Sequence, residues 1–277
     1  MTVVLEENTI FTNVYLTDNS GAGVHRLLAD ILLLRTPEGD HAFYEPGHPF
    51  FLRGFTQFVA EKLHRHGVAI QWRAHPRMLR AYDPRPAEFG RHLQPWVVEQ
   101  MLPHRYGILA LATRFGKSYI YAQWYLRAGR PMTVIFVPTE AIAKQMRDEL
   151  AATLSEPVGI IGASVQKIPD WQNLTVCIEN SLFDKQGVLR PEHMPYLVAV
   201  EARIRDECHK IGNRMIAAYM AMENCIYSWG GSATPLTDDA LHNWLMIGWH
   251  GPLRVQIPAH LASQYGIVAP AQIAWVR

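Results

Sequence analysis

The sequence is poor in cysteine: Cys177, Cys208 and Cys225 are its only three. They are too few and too far apart for a disulfide framework or a four-cysteine zinc site, which points to a reducing cytosol and a cytoplasmic protein. Cys208 is then expected as a small core residue. Long apolar runs are also missing, and none approaches the ~18 residues of a membrane span. The first residues, MTVVLEENTIFTN, carry acids where a signal peptide needs bases. No membrane partner is expected. Excess charge of either sign is lacking too: the net charge is +1, so attraction to nucleic acid must come from a local patch. No internal repeat or low-complexity tract is present.

What remains is a chain of 277 residues, 49% hydrophobic and 18% charged, able to bury a sizeable core and long enough for two domains. Charge is uneven along it. Residues 1–52 hold two basic and seven acidic side chains, whereas residues 53–92 hold eight basic and three acidic. The basic segment also carries His64, His66, His75 and His92, with Trp72, Tyr82 and Phe89 interleaved. Arginines and lysines suit phosphates and aromatics suit bases, although a solvated helix face with ordinary core aromatics has the same composition. Apolar spacing at Phe51, Phe55, Phe58, Val59 and Leu63 predicts a helix from Phe51 ended by Gly67, followed by a strand over VAIQW. The Pro- and Arg-rich stretch 76–86 reads as a connector, and a domain boundary is placed near residue 90.

Beyond it, apolar segments alternate with helical ones. GILALAT, MTVIFVP, LTVCIE, YLVAVEARIRD and NCIYSWGGS are strand candidates; Ser118–Ala128, Glu140–Ala152 and Asn213–Glu223 are helix candidates. The expected fold class is α/β: a small N-terminal α/β domain over 1–90, then a parallel sheet with helices on both faces over 91–277, with ligands at the strands' carboxyl ends.

Three stretches carry chemistry. Thr113-Arg114-Phe115-Gly116-Lys117-Ser118 lies between a strand and a helix, the setting of a phosphate-binding loop that offers backbone N–H groups, one lysine and a hydroxyl for Mg²⁺. Its first glycine is replaced by Leu111, and Arg114 and Phe115 occupy the usually small middle. A bulky cation adopts left-handed dihedrals only at a cost, so the turn is expected to form differently here. Asp206 and Glu207 end the YLVAVEARI segment, 89 positions after Lys117. A strand can deliver one carboxylate to Mg²⁺ and the next as the base that orients water. Gly230–Thr237, GGSATPLT, follows another strand with small residues and hydroxyls that allow close approach.

In chain order, ATRFGKS, IFVPTEAIAKQMRDEL, VCIENSLF, RDECHK and GGSATP resemble motifs I, Ia, Ib, II and III of superfamily-two helicases of the Asp-Glu-x-His group. The layout is similar to that of phage UvsW-type branch-migration helicases, which place a small nucleic-acid-binding domain before the motor and have degraded glycines in motif I. The localisation would then be a bacterial host cell if the chain is phage-encoded. The resemblance implies an ATP-dependent DNA (or RNA) helicase with ATP and Mg²⁺ as cofactors and a RecA-like motor domain over 91–277. Lys117 would contact the β and γ phosphates, Ser118 and Asp206 would hold Mg²⁺, and Glu207 would be the base. His209 would couple the nucleotide to Ser232 and Thr234. Pro138, Thr139, Glu140, Asn180 and Ser181 would lie along DNA or RNA.

Two departures accompany it. The glutamine that reads adenine in a "P-x-Q" setting has no clear equivalent in HLQPWVVEQML; base recognition would fall to Trp96, with Gln94 and Gln100 as weak substitutes. Motifs IV to VI, which belong to a second RecA-like lobe, are absent. That lobe would come in cis or trans, and the chain alone is expected to hydrolyse ATP poorly. Two other readings stay open: a nucleic-acid-binding or partner-docking half-motor, and the motor fragment of a restriction-type translocase.

Overall fold

The computed structural model describes residues 2–8, 10–17, 21–73, 93–162, 171–210 and 214–264. The connector at 76–86, the boundary near 90, and His75, Tyr82, Phe89 and His92 lie outside the described residues. The first part holds β1 (Thr2–Glu7), β2 (Phe11–Leu16), α1 (Gly21–Ile31), β3 (Leu33–Thr36), β4 (Gly39–Ala42), β5 (Phe50–Leu52), α2 (Thr56–Arg65) and β6 (Ala69–Arg73). Four of these strands form a mixed sheet in the order β5-β2-β1-β6, while β3 and β4 form a separate hairpin. β1 runs antiparallel to β2 and parallel to β6. Val24, Leu28, Val59 and Leu63 of the two helices share a buried core with Val3, Leu5 and Val14 of the sheet, as amphipathic elements must.

The expected helix from Phe51 starts later than its apolar spacing suggests. Phe51 pairs with Thr12 as a strand residue, a 3-10 turn spans Arg53–Phe55, and only then does α2 begin. The reason lies in a distant element. A Cβ at Gly54 would fall 1.8 Å from the Ile247 carbonyl oxygen, so the turn is pressed against a helix 190 residues away. Arg53, counted in the basic segment, is drawn inside by the same packing. It is 3% exposed, donates to the Asn8 carbonyl at 3.2 Å and lies over the Tyr106 ring.

The second part contains α3 (Gln94–Met101), β7 (Tyr106–Leu111), α4 (Lys117–Arg127), β8 (Thr133–Val137), α5 (Glu140–Leu154), β9 (Gly159–Ile161), β10 (Leu174–Ile178), α6 (Met194–Ala199), β11 (Ala202–Asp206), α7 (Arg214–Ala221), β12 (Tyr227–Ser232), α8 (Ala240–His250), β13 (Leu253–Ile257) and α9 (Ala259–Gln264). Its seven strands form one parallel sheet in the order β13-β7-β12-β11-β8-β10-β9. Leu109, Leu111, Ile135, Val137, Val176 and Ile204 pack on one side with Val97, Ile120 and Leu150. Val134, Phe136 and Cys177 pack on the other with Leu197, Met215 and Tyr219. Burial on both faces is why these strands read as continuous apolar runs.

One such run divides. YLVAVEARIRD, expected as a strand, is half helix: Pro195 stands in the first turn of α6, a position where its missing N–H costs nothing, and β11 begins at Ala202. An apolar run of this length does not distinguish a buried helix from a buried strand. Among the described residues, no helix is long and apolar enough to cross a membrane.

Candidate nucleotide and nucleic-acid sites

The strand order puts β7, β12 and β11 side by side, so the segments that follow them share one edge of the sheet. α4 begins at Lys117 with Gly116 as its N-cap at φ +90°. Arg114 adopts φ +64°. The turn is therefore the left-handed one after all, made by a residue that pays for it. Two fixings hold it. The Phe115 side chain is fully buried in the core, and Gln94, 4% exposed, donates from Nε2 to the Phe115 carbonyl at 2.6 Å. A Cβ on Gly116 would come within 2.1 Å of that same Nε2.

Lys117 Nζ lies 2.5 Å from Asp206 Oδ1 and 3.0 Å from Glu207 Oε1. Desolvation works against the ammonium, but the attraction of Asp206 and then of Glu207 outweighs it, and the Lys117 pKa is raised. Burial pushes the Asp206 carboxyl up, with Lys117 opposing. Tyr121, one turn along α4, donates to Asp206 Oδ1 at 3.4 Å. Glu207 stands at φ +53°, which turns the chain sharply after β11 and brings its carboxylate to the same lysine.

The close approach expected of small residues in GGSATP occurs at Gly230 and Gly231, inside β12 rather than in a loop after it. A Cβ on Gly231 would be 2.0 Å from the Tyr121 hydroxyl, and one on Gly230 would be 3.0 Å from Cys208 Sγ and from the His250 ring. Ser232 Oγ lies 2.8 Å from His209 Nδ1 and accepts from the Thr234 N–H at 3.1 Å. His209 Nδ1 is in turn 3.5 Å from Glu207 Oε2. Burial lowers the His209 pKa, with Glu207 opposing. Cys208 is fully buried.

Arg114, Phe115, Gly116, Lys117, Ser118 and Asp206 line one cavity of about 350 Å³, completed by Ile142, Gln145, Met146 and Glu149 of α5. Those four lie within the IFVPTEAIAKQMRDEL stretch, but none of them was assigned to the nucleotide. Thr113 and Trp96 are exposed and are not among the lining residues. Gln94, weighed in the sequence only as a weak substitute for an adenine-reading glutamine, instead lies beside the loop and bonds its backbone.

A second cavity, of about 500 Å³, brings Pro138 and Asn180 together with Glu179, Phe183, Lys210, Arg214 and Met215. Lys210 and Arg214 were not singled out in the sequence. Thr139 and Glu140 do not line it. Thr139 caps α5 by accepting from the Ile142 N–H at 3.4 Å, and Glu140 pairs with Lys144 at 2.6 Å. Ser181 packs closely on Gly162.

The family described as Type III restriction enzyme, res subunit (ResIII), matches residues 70–236. The chain belongs to the ResIII family. Its fold is shared with the UvsW helicase from bacteriophage T4: 16% identity, 92% of this chain and 100% of that one covered, TM-score 0.70. A longer structure of T4 UvsW gives 16% identity and a TM-score of 0.68, with 92% of this chain and 57% of that one covered. The chain thus spans all of one and just over half of the other. No curated protein matches it. The ResIII chain is accordingly a helicase-family protein with a RecA-like parallel sheet, as the ordered motifs implied, and the family is one that uses a nucleotide.

Proposed function

We propose that this ResIII chain is the N-terminal portion of an ATP-dependent DNA (or RNA) helicase or translocase: an accessory nucleic-acid-binding domain over 1–90 and a first RecA-like motor domain over 91–277. The observation that carries the reading is Lys117 Nζ held between Asp206 and Glu207 at 2.5 and 3.0 Å at the mouth of a helix N-terminus. One ammonium among two carboxylates and a hydroxyl suits a magnesium-bound polyphosphate. The loop N–H groups and Lys117 meet the phosphates, and the remaining oxygen ligands meet the cation.

The donor set fits Mg²⁺ in kind. Ser118 and Asp206 offer hard oxygens, and the described residues contain no cluster of three or more His, Cys, Asp or Glu able to hold an ion unaided. Mg²⁺ characteristically takes one or two protein oxygens and completes its shell with phosphates and water; bound so, it would neutralise charge developing on the phosphates. In this reading Glu207 orients the attacking water, and His209 with Ser232 and Thr234 relays the state of the nucleotide to the rest of the motor. Thr113 and Trp96 are outer elements of the site.

Nucleic acid is assigned to the groove of Pro138, Asn180, Lys210 and Arg214, flanked by Thr139, Glu140 and Ser181. A second contact surface is assigned to the N-terminal sheet, where Trp72 is 54% and Tyr15 43% exposed and Arg73 lies over the Tyr15 ring. A second RecA-like lobe, in cis or trans, would supply what completes hydrolysis. Magnesium-dependent binding of a non-hydrolysable ATP analogue, followed by calorimetry, tests the reading. Binding by the native chain that weakens at least tenfold in Lys117→Ala is expected; a native chain that binds no nucleotide would overturn it.

A further inference from the structure

Arg205 opens the RDECHK stretch without a role assigned to it, yet it is among the largest fully buried side chains, at 1% exposure. It precedes Asp206 on β11, and neighbouring strand residues point to opposite faces. Asp206 therefore reaches the nucleotide cavity while Arg205 reaches beneath the groove on the other side. There a single nitrogen, Nη2, donates to Glu179 Oε2 at 2.8 Å and to the Lys210 carbonyl at 2.9 Å. Nη1 points to the Tyr219 hydroxyl at 3.5 Å.

Glu179 and Lys210 both line the groove with Asn180 and Arg214. Glu179 alone would repel a nucleic-acid phosphate; Arg205 neutralises it from below and leaves Lys210 and Arg214, which form no ion pair among the described residues, as the groove's basic groups. Lys210 also closes the short turn Cys208–Lys210 that follows Glu207, with its N–H bonded to the Glu207 carbonyl at 3.0 Å. An anion that displaces the Glu179 carboxylate disturbs one bond of the Arg205 guanidinium nitrogen Nη2, and one that shifts the Lys210 backbone disturbs the other. That guanidinium is anchored one residue from Asp206.

We propose that Arg205 is a positioning residue that links the groove to the Asp206–Glu207 turn, so that a single-stranded nucleic acid in the groove and a magnesium nucleotide in the cavity alter each other's affinity. The inference rests on the reading given under Proposed function. Linkage of this kind is reciprocal, and couplings of about 5–150-fold are usual.

The test uses the full chain and a labelled single-stranded oligonucleotide, DNA and RNA in turn, whose dissociation constant is measured with and without saturating magnesium ATP analogue. A shift of about tenfold is expected in the native chain. It should shrink below about twofold in Arg205→Met, with each ligand alone bound within about threefold of native, and return in part in Arg205→Lys. A merely structural role for Arg205 would weaken both ligands separately and leave their ratio intact. If Arg205→Met does not fold, Glu179→Gln, which loosens the same pair from the groove side, is judged on the linkage ratio alone, expected below about twofold whatever it does to oligonucleotide affinity. A native chain that binds both ligands without linkage, or a mutant that keeps the native ratio, overturns the inference alone. A native chain that binds neither ligand removes the functional reading and this inference with it.

Discussion

At the scale of single residues, the site depends on positions where side-chain volume is withheld. Gly231 makes room for the Tyr121 hydroxyl against Asp206. Gly231→Ala is expected to cost about 1–3 kcal/mol through overpacking, and Tyr121→Phe in the same chain should recover part of it; denaturant unfolding of the two single variants and the double variant measures the coupling. His250 is the converse case. It is fully buried, neither ring nitrogen has a hydrogen-bond partner among the described residues, and burial among Arg203 and Arg205 drives its pKa well below the usual histidine value. Below about pH 6.5 the unfolded chain takes up a proton that the folded chain refuses, so stability falls as pH falls, by up to about 1.4 kcal/mol per pH unit. His250→Phe should flatten the loss of thermal midpoint between pH 7 and pH 5. An unchanged slope would show that His250 does not carry the acid sensitivity.

At the scale of elements, the loop at 113–118 is an N-terminal helix site built with two left-handed residues, Arg114 and Gly116, and braced from α3. Loss of the Gln94 bond to the Phe115 carbonyl removes about 1 kcal/mol of preorganisation. Gln94→Leu should therefore weaken magnesium nucleotide binding about fivefold, whereas Trp96→Ala, outside the cavity lining, should change it less than twofold. Calorimetry on both variants decides between bracing and base stacking. Much at this scale was legible in the sequence. β7, β8, β10, β12, α4, α5 and α7 lie where periodicity placed them, because burial on both faces of a parallel sheet leaves a clear apolar signature. Residues 51–55 and 196–199 were misread because an apolar spacing states that side chains are buried, not in which backbone form. Of the two edge strands, β9 has only three residues and β13, LRVQI, is interrupted by Arg254 and Gln256, so neither left a continuous apolar run.

At the scale of the whole molecule, the two sheets are held together by an approach of backbone to backbone. Gly54 meets the carbonyls of Ile247 and Gly248 at the end of α8, and Trp244 of α8 packs among Phe43, Phe55 and Phe58. Gly54→Ala must push α8 away. Its expected cost of about 1–3 kcal/mol corresponds to a fall of roughly 2–10 °C in the main thermal transition. Scanning calorimetry should show one transition in the native chain and a broadened or divided one in the variant.

The sequence by itself determined the parallel sheet and the order of its motifs, because apolar runs and turn chemistry are local properties. It also singled out Lys117, Ser118, Asp206 and Glu207 from their places just after strands, and His209 and Ser232 through the resemblance of RDECHK and GGSATP to family motifs. Only the tertiary structure decided that Gln94 braces the loop, that Lys210 and Arg214 join Pro138 and Asn180, that Arg53 is buried, and that Arg205 lies between two sites. Those facts follow from which strands are neighbours and which helices cross them. Such adjacency arises between residues tens to hundreds of positions apart and leaves no mark on the spacing of either one.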